Sequence, residues 1–329
     1  MGNLTKTAAQ VQTILDHINI PNQTNFVKTL IIGDGGTHID NTGTDAGDYN
    51  LIVGKGAGAA QTIAKRNTLI GANAGASITS GWANTFVGYN AGATGVGTGS
   101  LDVSGVGGEF YANTAVGEGA MGLATTASYN SSVGTNSLTK LTTGTSNTSV
   151  GVHSLNENQT GSGNVAVGRN ALYNHVGNYC VAVGFDAAKA HAGTGQVSAF
   201  GYQSGLKSSN NGANTYFGYQ AGAENVAGYE NTFIGHQAGL SSAGKNQYYN
   251  TVIGHQAGYS AGNNEGNTYI GAGAGYTKTT GDYNTFVGYA AGKHASQLAT
   301  AANSFGIGNG TYTTAIVIVT GKQIGRAHV

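Results

Sequence analysis

Few side chains in this chain are suited to chemistry, and they are scattered. There are 9 histidines, 14 acidic residues and a single cysteine among 329 residues. His236 and His255 form the pair whose placement carries meaning, because each sits in the same local sequence, Ile-Gly-His-Gln-Ala-Gly. If those copies stack, the imidazoles stack too, and in a threefold assembly three copies of each could meet around a metal. No second ligand type stands beside them. Tyr89, Tyr202, Tyr219 and Tyr289 occupy the same place in other copies, so an exposed ladder accounts for the same residues. Rings with polar tips also suit a receptor face for protein or glycan, and we assign that face to Tyr89, Tyr202, Tyr219, His236, His255 and Tyr289.

Other candidate chemistry is excluded by context. Cys180 stands alone, so no internal disulfide and no cysteine-based zinc site follows from it. It reads as a small buried apolar side chain. Gly95-Val96-Gly97-Thr98-Gly99 lacks the Gly-Lys-Ser/Thr ending of a phosphate loop. Gly33-Asp34-Gly35-Gly36 does not recur every nine residues, as a calcium-binding nonapeptide must. The acidic residues form no pair for general acid–base work. We therefore expect no catalytic activity and no cofactor.

Composition points the same way. Charged residues are only 9% of the chain, Gly numbers 57, and Pro21 is the single proline. Gly does not recur every third residue, which excludes collagen. The net charge of zero gives no drive toward nucleic acid or an acidic membrane. No apolar run reaches 18 residues, so no membrane insertion is expected. The N-terminus lacks a basic region followed by an apolar one, and Lys6 breaks the myristoylation motif that Gly2 begins.

What must position the ladder is a repeat. The unit Asn-x-x-(Val/Ile/Phe)-Gly-x-x-(Ala/Ser) is centred on Gly54, Gly71, Gly88, Gly117, Gly134, Gly151, Gly168, Gly184, Gly201, Gly218, Gly235, Gly254, Gly271 and Gly288. Successive spacings are 17, 17, 29, 17, 17, 17, 16, 17, 17, 17, 19, 17 and 17. The single 29 marks a surface-loop insertion within residues 92–112. The apolar residue before the glycine, from Val53 and Ile70 to Val287, is expected to point into the core of a short strand. The glycine ends that strand by positive φ or close backbone approach. The Ala or Ser three residues later fits a crowded interior. The leading Asn, replaced only by Cys180 and Val197, suits a turn or a stacked amide ladder. A second amide ladder is expected two residues after the glycine, through Asn73, Asn90, Asn136, Asn170, Gln203, Gln220, Gln237 and Gln256.

Seventeen residues extend at most about 56–61 Å, enough for two short strands and two turns. One solenoid coil per repeat follows, with coils about 4.8 Å apart and fourteen of them spanning roughly 67 Å. The fold class is all-β: a parallel β-roll or β-solenoid of about fourteen coils. Its thin core favours trimerisation around a shared axis.

The unit Asn164-Val165-Ala166-Val167-Gly168-Arg169-Asn170-Ala171 resembles the head repeat of trimeric autotransporter (YadA-like) adhesins. That resemblance implies a left-handed, homotrimeric parallel β-roll. The form at Asn231–Gly239 resembles more closely the repeats of phage tail-fibre-like proteins, some of which end in a self-cleaving chaperone. The resemblance covers about Asn50 to Gly292, and speaks to architecture more than to function.

We divide the chain into a helical cap or attachment segment at 1–28, lead-in strands at 29–49, the repeat domain at 50–310, and a β-run at 311–323. In the first, Val11, Ile14, Leu15 and Ile18 share one helical face, and Asn19 and Pro21 end it. The last six residues, Ile324 to Val329, resemble the translation of a sequencing adapter, so the natural chain is expected to continue beyond about Gln323 into a chaperone or anchor domain. The functional expectation is a structural, adhesive fibre: a phage tail fibre or related virion protein forming a rigid shaft. It presents a host-binding surface to a host cell-surface glycan or protein. A bacterial surface adhesin and a β-helical tailspike glycosidase are the alternatives; the absent export signal disfavours the first, and the absent carboxylate pair the second.

Overall fold

The computed structural model describes residues 30–32, 49–61, 64–94, 111–209, 212–241, 245–277, 281–293 and 302–308. The expected N-terminal helix, the turn at Gly33–Gly36, the Gly95–Gly99 loop, the β-run at 311–323 and the tail at 324–329 lie outside them. The chain forms two compact units, Met1–Ser162 and Gly163–Val329. Among the described residues there is no helix, hence none long and apolar enough to cross a membrane.

Each repeat contributes one short strand that ends just before its central glycine. Unit one holds β1 Leu30–Ile32, β2 Leu51–Val53, β3 Thr68–Ile70, β4 Thr85–Val87, β5 Thr114–Val116, β6 Ser131–Val133 and β7 Thr148–Val150. Each pairs in parallel with the next in chain order. Unit two holds β8 Val165–Val167, β9 Val181–Val183, β10 Val197–Phe200, β11 Asn214–Phe217, β12 Thr232–Ile234, β13 Gln247–Tyr248, β14 Thr251–Ile253, β15 Asn264–Glu265, β16 Thr268–Ile270, β17 Thr285–Val287 and β18 Phe305–Ile307. Its main sheet runs β8-β9-β10-β11-β12-β14-β16-β17-β18, all parallel, and β13 pairs β15 apart from it. The expected solenoid, one coil per period, is the fold. Its register ignores the insertion: Phe86 pairs with Ala115 and Val87 with Val116 across the 29-residue spacing. Beyond the fourteenth copy, a degraded form of the unit at Asn303–Gly308 supplies the last strand.

Parity within the strand corrects one expectation. The residue just before the glycine does not enter the core. In the three-residue strands from β2 to β17 the middle side chain is buried and its neighbours face out, as the two-residue period requires. Ile52, Leu69, Phe86, Phe233 and Phe286 are the inward residues. The β-branched or aromatic residue next to the glycine lies on the outer face, with Val133 40% and Phe217 56% exposed. Within each unit Thr residues stand beside it on that face: Thr68 and Thr85 in the first, Thr232 and Thr268 in the second.

The glycine needs both properties assigned to it. Gly134 has φ +131°, and a Cβ there would stand 2.6 Å from the Gly151 carbonyl oxygen of the next coil. The Ala or Ser three residues on is buried in every copy, as Ala57, Ser137 and Ala238 show. Beyond it the chain turns repeatedly, but still bonds to the neighbouring coil: Gly58 N–H donates to Ala74 O at 2.9 Å, and Asn73 N–H to Lys55 O at 2.9 Å.

Core volume is shared between two positions. In several coils with a small inward strand residue the fourth residue after the glycine is large: Ala115 with Met121, Ser132 with Leu138, Ala166 with Leu172; Ala182 with Ala188 and Ala199 with Gly205 are small at both positions. Where the strand residue is aromatic, that fourth residue is Gly: Phe233 with Gly239, Phe286 with Gly292. A Cβ at Gly239 would lie 2.6 Å from the Phe233 ring. Close packing leaves room for one large group, not two.

The leading Asn residues form the expected ladder inside each unit. Asn147 donates its backbone N–H and its Nδ2 to Asn130 Oδ1, at 2.9 and 3.0 Å. Its Nδ2 also reaches Gly161 O at 2.8 Å. A buried side chain with both amide atoms bonded carries no desolvation penalty.

Candidate functional site

The residue directly after the central glycine lies at the start of the turning side, with its ring exposed. In unit two, five consecutive coils place an aromatic ring there. Phe185 stacks on Tyr202 with centroids 5.5 Å apart, Tyr202 on Tyr219 at 5.1 Å, Tyr219 on His236 at 4.9 Å, and His236 on His255 at 5.1 Å. The rings lie within 9–17° of parallel. Arg169, one coil earlier, sets its guanidinium 5.5 Å from the Phe185 ring, a cation–π contact. Four of the six predicted face residues thus share one column: Tyr202, Tyr219, His236 and His255. Tyr89 and Tyr289 do not join it. Tyr89 lies in the first unit, and Ala272 separates Tyr289 from His255 in the repeat phase. Phe185 and Arg169 join without having been singled out, although their position after Gly184 and Gly168 marks them.

The next residue in each coil carries the amide ladder. Gln220 Nε2 donates to Gln203 Oε1 at 3.0 Å, Gln237 to Gln220 at 3.0 Å, and Gln256 to Gln237 at 2.9 Å. In the first unit Asn73 donates to Asn90 at 3.1 Å, and in the second Asn170 to Asp186 at 2.8 Å. These side chains fix the spacing of the rings beside them. Because the ring faces cover one another, the column offers solvent its edges: phenol hydroxyls and imidazole nitrogens at one interval per coil.

A second cluster is buried, and the eight-residue motif did not reveal it. The seventh residue after the glycine points inward at a corner of the coil. Ile78, Ala124, Leu141, Ser208 and Asn225 fill that corner elsewhere. In two neighbouring coils it is His175 and His191, both fully buried, with rings stacked at 5.1 Å. Cys180, also fully buried, faces them from the Asn-ladder slot. One donor atom from each of the three lies within 4.8 Å of the others. The sequence reading placed Cys180 correctly in the core, but gave no sign of its neighbours. Aligning the copies at their seventh position would have supplied one.

Cys180 partly replaces the missing Asn. Its backbone N–H donates to Asn164 Oδ1 at 2.9 Å, its thiol donates to Gly195 O at 3.3 Å, and its sulfur accepts from Val197 N–H at 3.3 Å. His191 Nε2 lies 2.8 Å from the same Gly195 oxygen. Neither ring nitrogen of His175 makes a well-aligned hydrogen bond, nor does His191 Nδ1, although the Gly177 and Ser208 backbones lie close enough to favour the charged rings. Burial, and next the His191 ring, push His175 down to about 3, although the Gly177 backbone offsets part of this. Burial lowers His191 as well, and raises the Cys180 thiol to about 11. At neutral pH the three are therefore neutral donors in a water-poor interior.

No family model matches the chain, and no curated protein or solved structure shows significant similarity to it.

Proposed function

We propose that the chain is a structural, adhesive fibre protein, of the kind that phage tails carry, and that the Phe185–His255 column is its host-binding face. The observation behind this reading is the column itself. Five exposed rings stand in register, one per coil, with centroids 4.9–5.5 Å apart. Regular hydroxyls and ring nitrogens beside an amide ladder suit a repeating host glycan or an extended protein segment. Replacing Tyr202, Tyr219, His236 and His255 together by Ser removes the edges while leaving the core alone. Binding to host cells, or to an array of host glycans, should fall at least tenfold; unchanged binding rejects the assignment.

The chain acts, in this proposal, as a homotrimer. The outer β-branched and Thr residues repeat once per coil, and a second and third copy would present the same period to them. Native mass measurement checks this, and a monomer mass sinks it. A bacterial surface adhesin and a tailspike glycosidase rest on the same fold. Depolymerisation of host polysaccharide by the purified protein would favour the last.

A further inference from the structure

We propose that His175, Cys180 and His191 form a zinc site inside the second unit. Two imidazoles and one thiol converge within 4.8 Å, and two nitrogens and a sulfur are a donor set for a borderline-soft divalent cation. Zn–N bonds near 2.0–2.1 Å and Zn–S bonds near 2.3 Å require the donors to draw together by only about 1 Å.

The orphaned nitrogens give an independent reason. A buried polar atom with no partner is costly, and interiors rarely keep one. At the same corner Asn225 is bonded, its Nδ2 donating to the Tyr216 hydroxyl at 2.9 Å and its Oδ1 accepting from Gln247 N–H at 3.1 Å, whereas the Gln61 amide and the Ser208 hydroxyl make no well-aligned hydrogen bond. His175 and His191 leave three such nitrogens in one cluster, beside the Cys180 sulfur. A cation satisfies one nitrogen on each ring.

The surroundings are those of a supported ligand set. With Nε2–H donated to Gly195 O, His191 presents its free Nδ1 lone pair. A carbonyl that holds the far nitrogen is the usual support for a metal-bound imidazole. Val197 N–H already points at the Cys180 sulfur, and would stabilise it as a thiolate. On binding, the S–H bond breaks, its proton leaves to solvent, and the sulfur's electron pair forms the Zn–S bond. The alternative is that the rings only fill volume, since Ala182 and Ala199 are small inward residues in the neighbouring strands.

The site is closed to solvent, so metal enters as the chain folds. The full chain should be produced with Zn2+ in the medium and its zinc measured by elemental analysis. A second sample, refolded with Co2+, should be examined by absorption spectroscopy. We expect about one metal per chain, a thiolate-to-cobalt charge-transfer band, and a melting temperature that rises with Zn2+. C180N installs the residue that twelve of the fourteen copies use, and H175L installs the residue of the Leu141 corner. Each should fold, lose the band, and lower zinc content at least tenfold. H236N/H255N should keep both, since those exposed imidazoles belong to the surface column. A folded wild-type chain with less than about a tenth of an equivalent of zinc overturns the proposal. So does metal retained at wild-type level in both C180N and H175L.

Discussion

The sharing of core volume between a strand residue and the fourth residue after its glycine can be tested by exchange. Phe233→Ala in the second unit empties the space of a fully buried ring, which costs about 3–5 kcal/mol. Gly239→Leu in the intact chain drives a side chain into the Phe233 ring, where a Cβ alone would lie at 2.6 Å with φ +57°. Overpacking contributes about 1–3 kcal/mol, and positive φ at a non-glycine residue about 1 kcal/mol or more. Independent effects would sum to about 5–9 kcal/mol. The double variant instead recreates the pair Ala166 with Leu172, in which Leu172 already takes φ 50°. We expect it to lose only about 2–3 kcal/mol, through residual strain and the lost ring contact with Tyr216. The coupling is then about 2 kcal/mol or more. Urea denaturation reads the total. Hydrogen exchange at β11, β12 and β14 reads it locally, because stacked coils can open in part. A double variant as unstable as the sum of the singles refutes the shared-volume account.

Two further outcomes follow from the backbone and the core. Gly134→Ala meets the Gly151 carbonyl at 2.6 Å, whereas Gly273→Ala, at φ +67°, meets nothing nearer than 3.7 Å. The first should cost about 3 kcal/mol or more and the second about 1 kcal/mol, by denaturation midpoint. Alkaline stability should depend on Tyr216, whose phenol is pushed up to about 12 by burial. Its unfolded form ionises near 10 and its folded form does not, so the unfolded chain binds fewer protons above pH 10. Its contribution is full below pH 10 and is lost as pH rises toward 12, at about 1.4 kcal/mol per unit. Tyr216→Phe should flatten that decline in a pH series of urea melts.

The fold was legible because its determinants are local and repeated. A fixed Gly and a fixed small residue every seventeen positions leave few structures besides stacked coils, and the Asn column announces its own ladder. Strand parity was misread because β-branched residues beside the glycine looked like core. The Phe or Leu one place earlier fills it in some coils, but Ser132 and Ser149 hide the pattern in others. The stacked rings were visible as a shared phase, though not the stop at Ala272. The histidine–cysteine cluster was not visible, because its members occupy different phases of the coil, and only the winding brings position seven against position minus four.

The Asn ladder carries a further consequence. Each Asn rung joins a coil only to its immediate neighbour, and most use the same atoms: a backbone N–H and an amide of one Asn on the Oδ1 of the one before. Excising one period, such as the seventeen residues from Gly218 to Ile234, would bring Asn214 against Asn250 with the same partners on offer. The gene can therefore gain or lose whole periods through unequal recombination with no new interface to invent. Within a period, the glycine and the small residue stand in every copy and the Asn in twelve of fourteen. Copy number is the variable selection can adjust freely, and the coil's chemistry is what it must conserve.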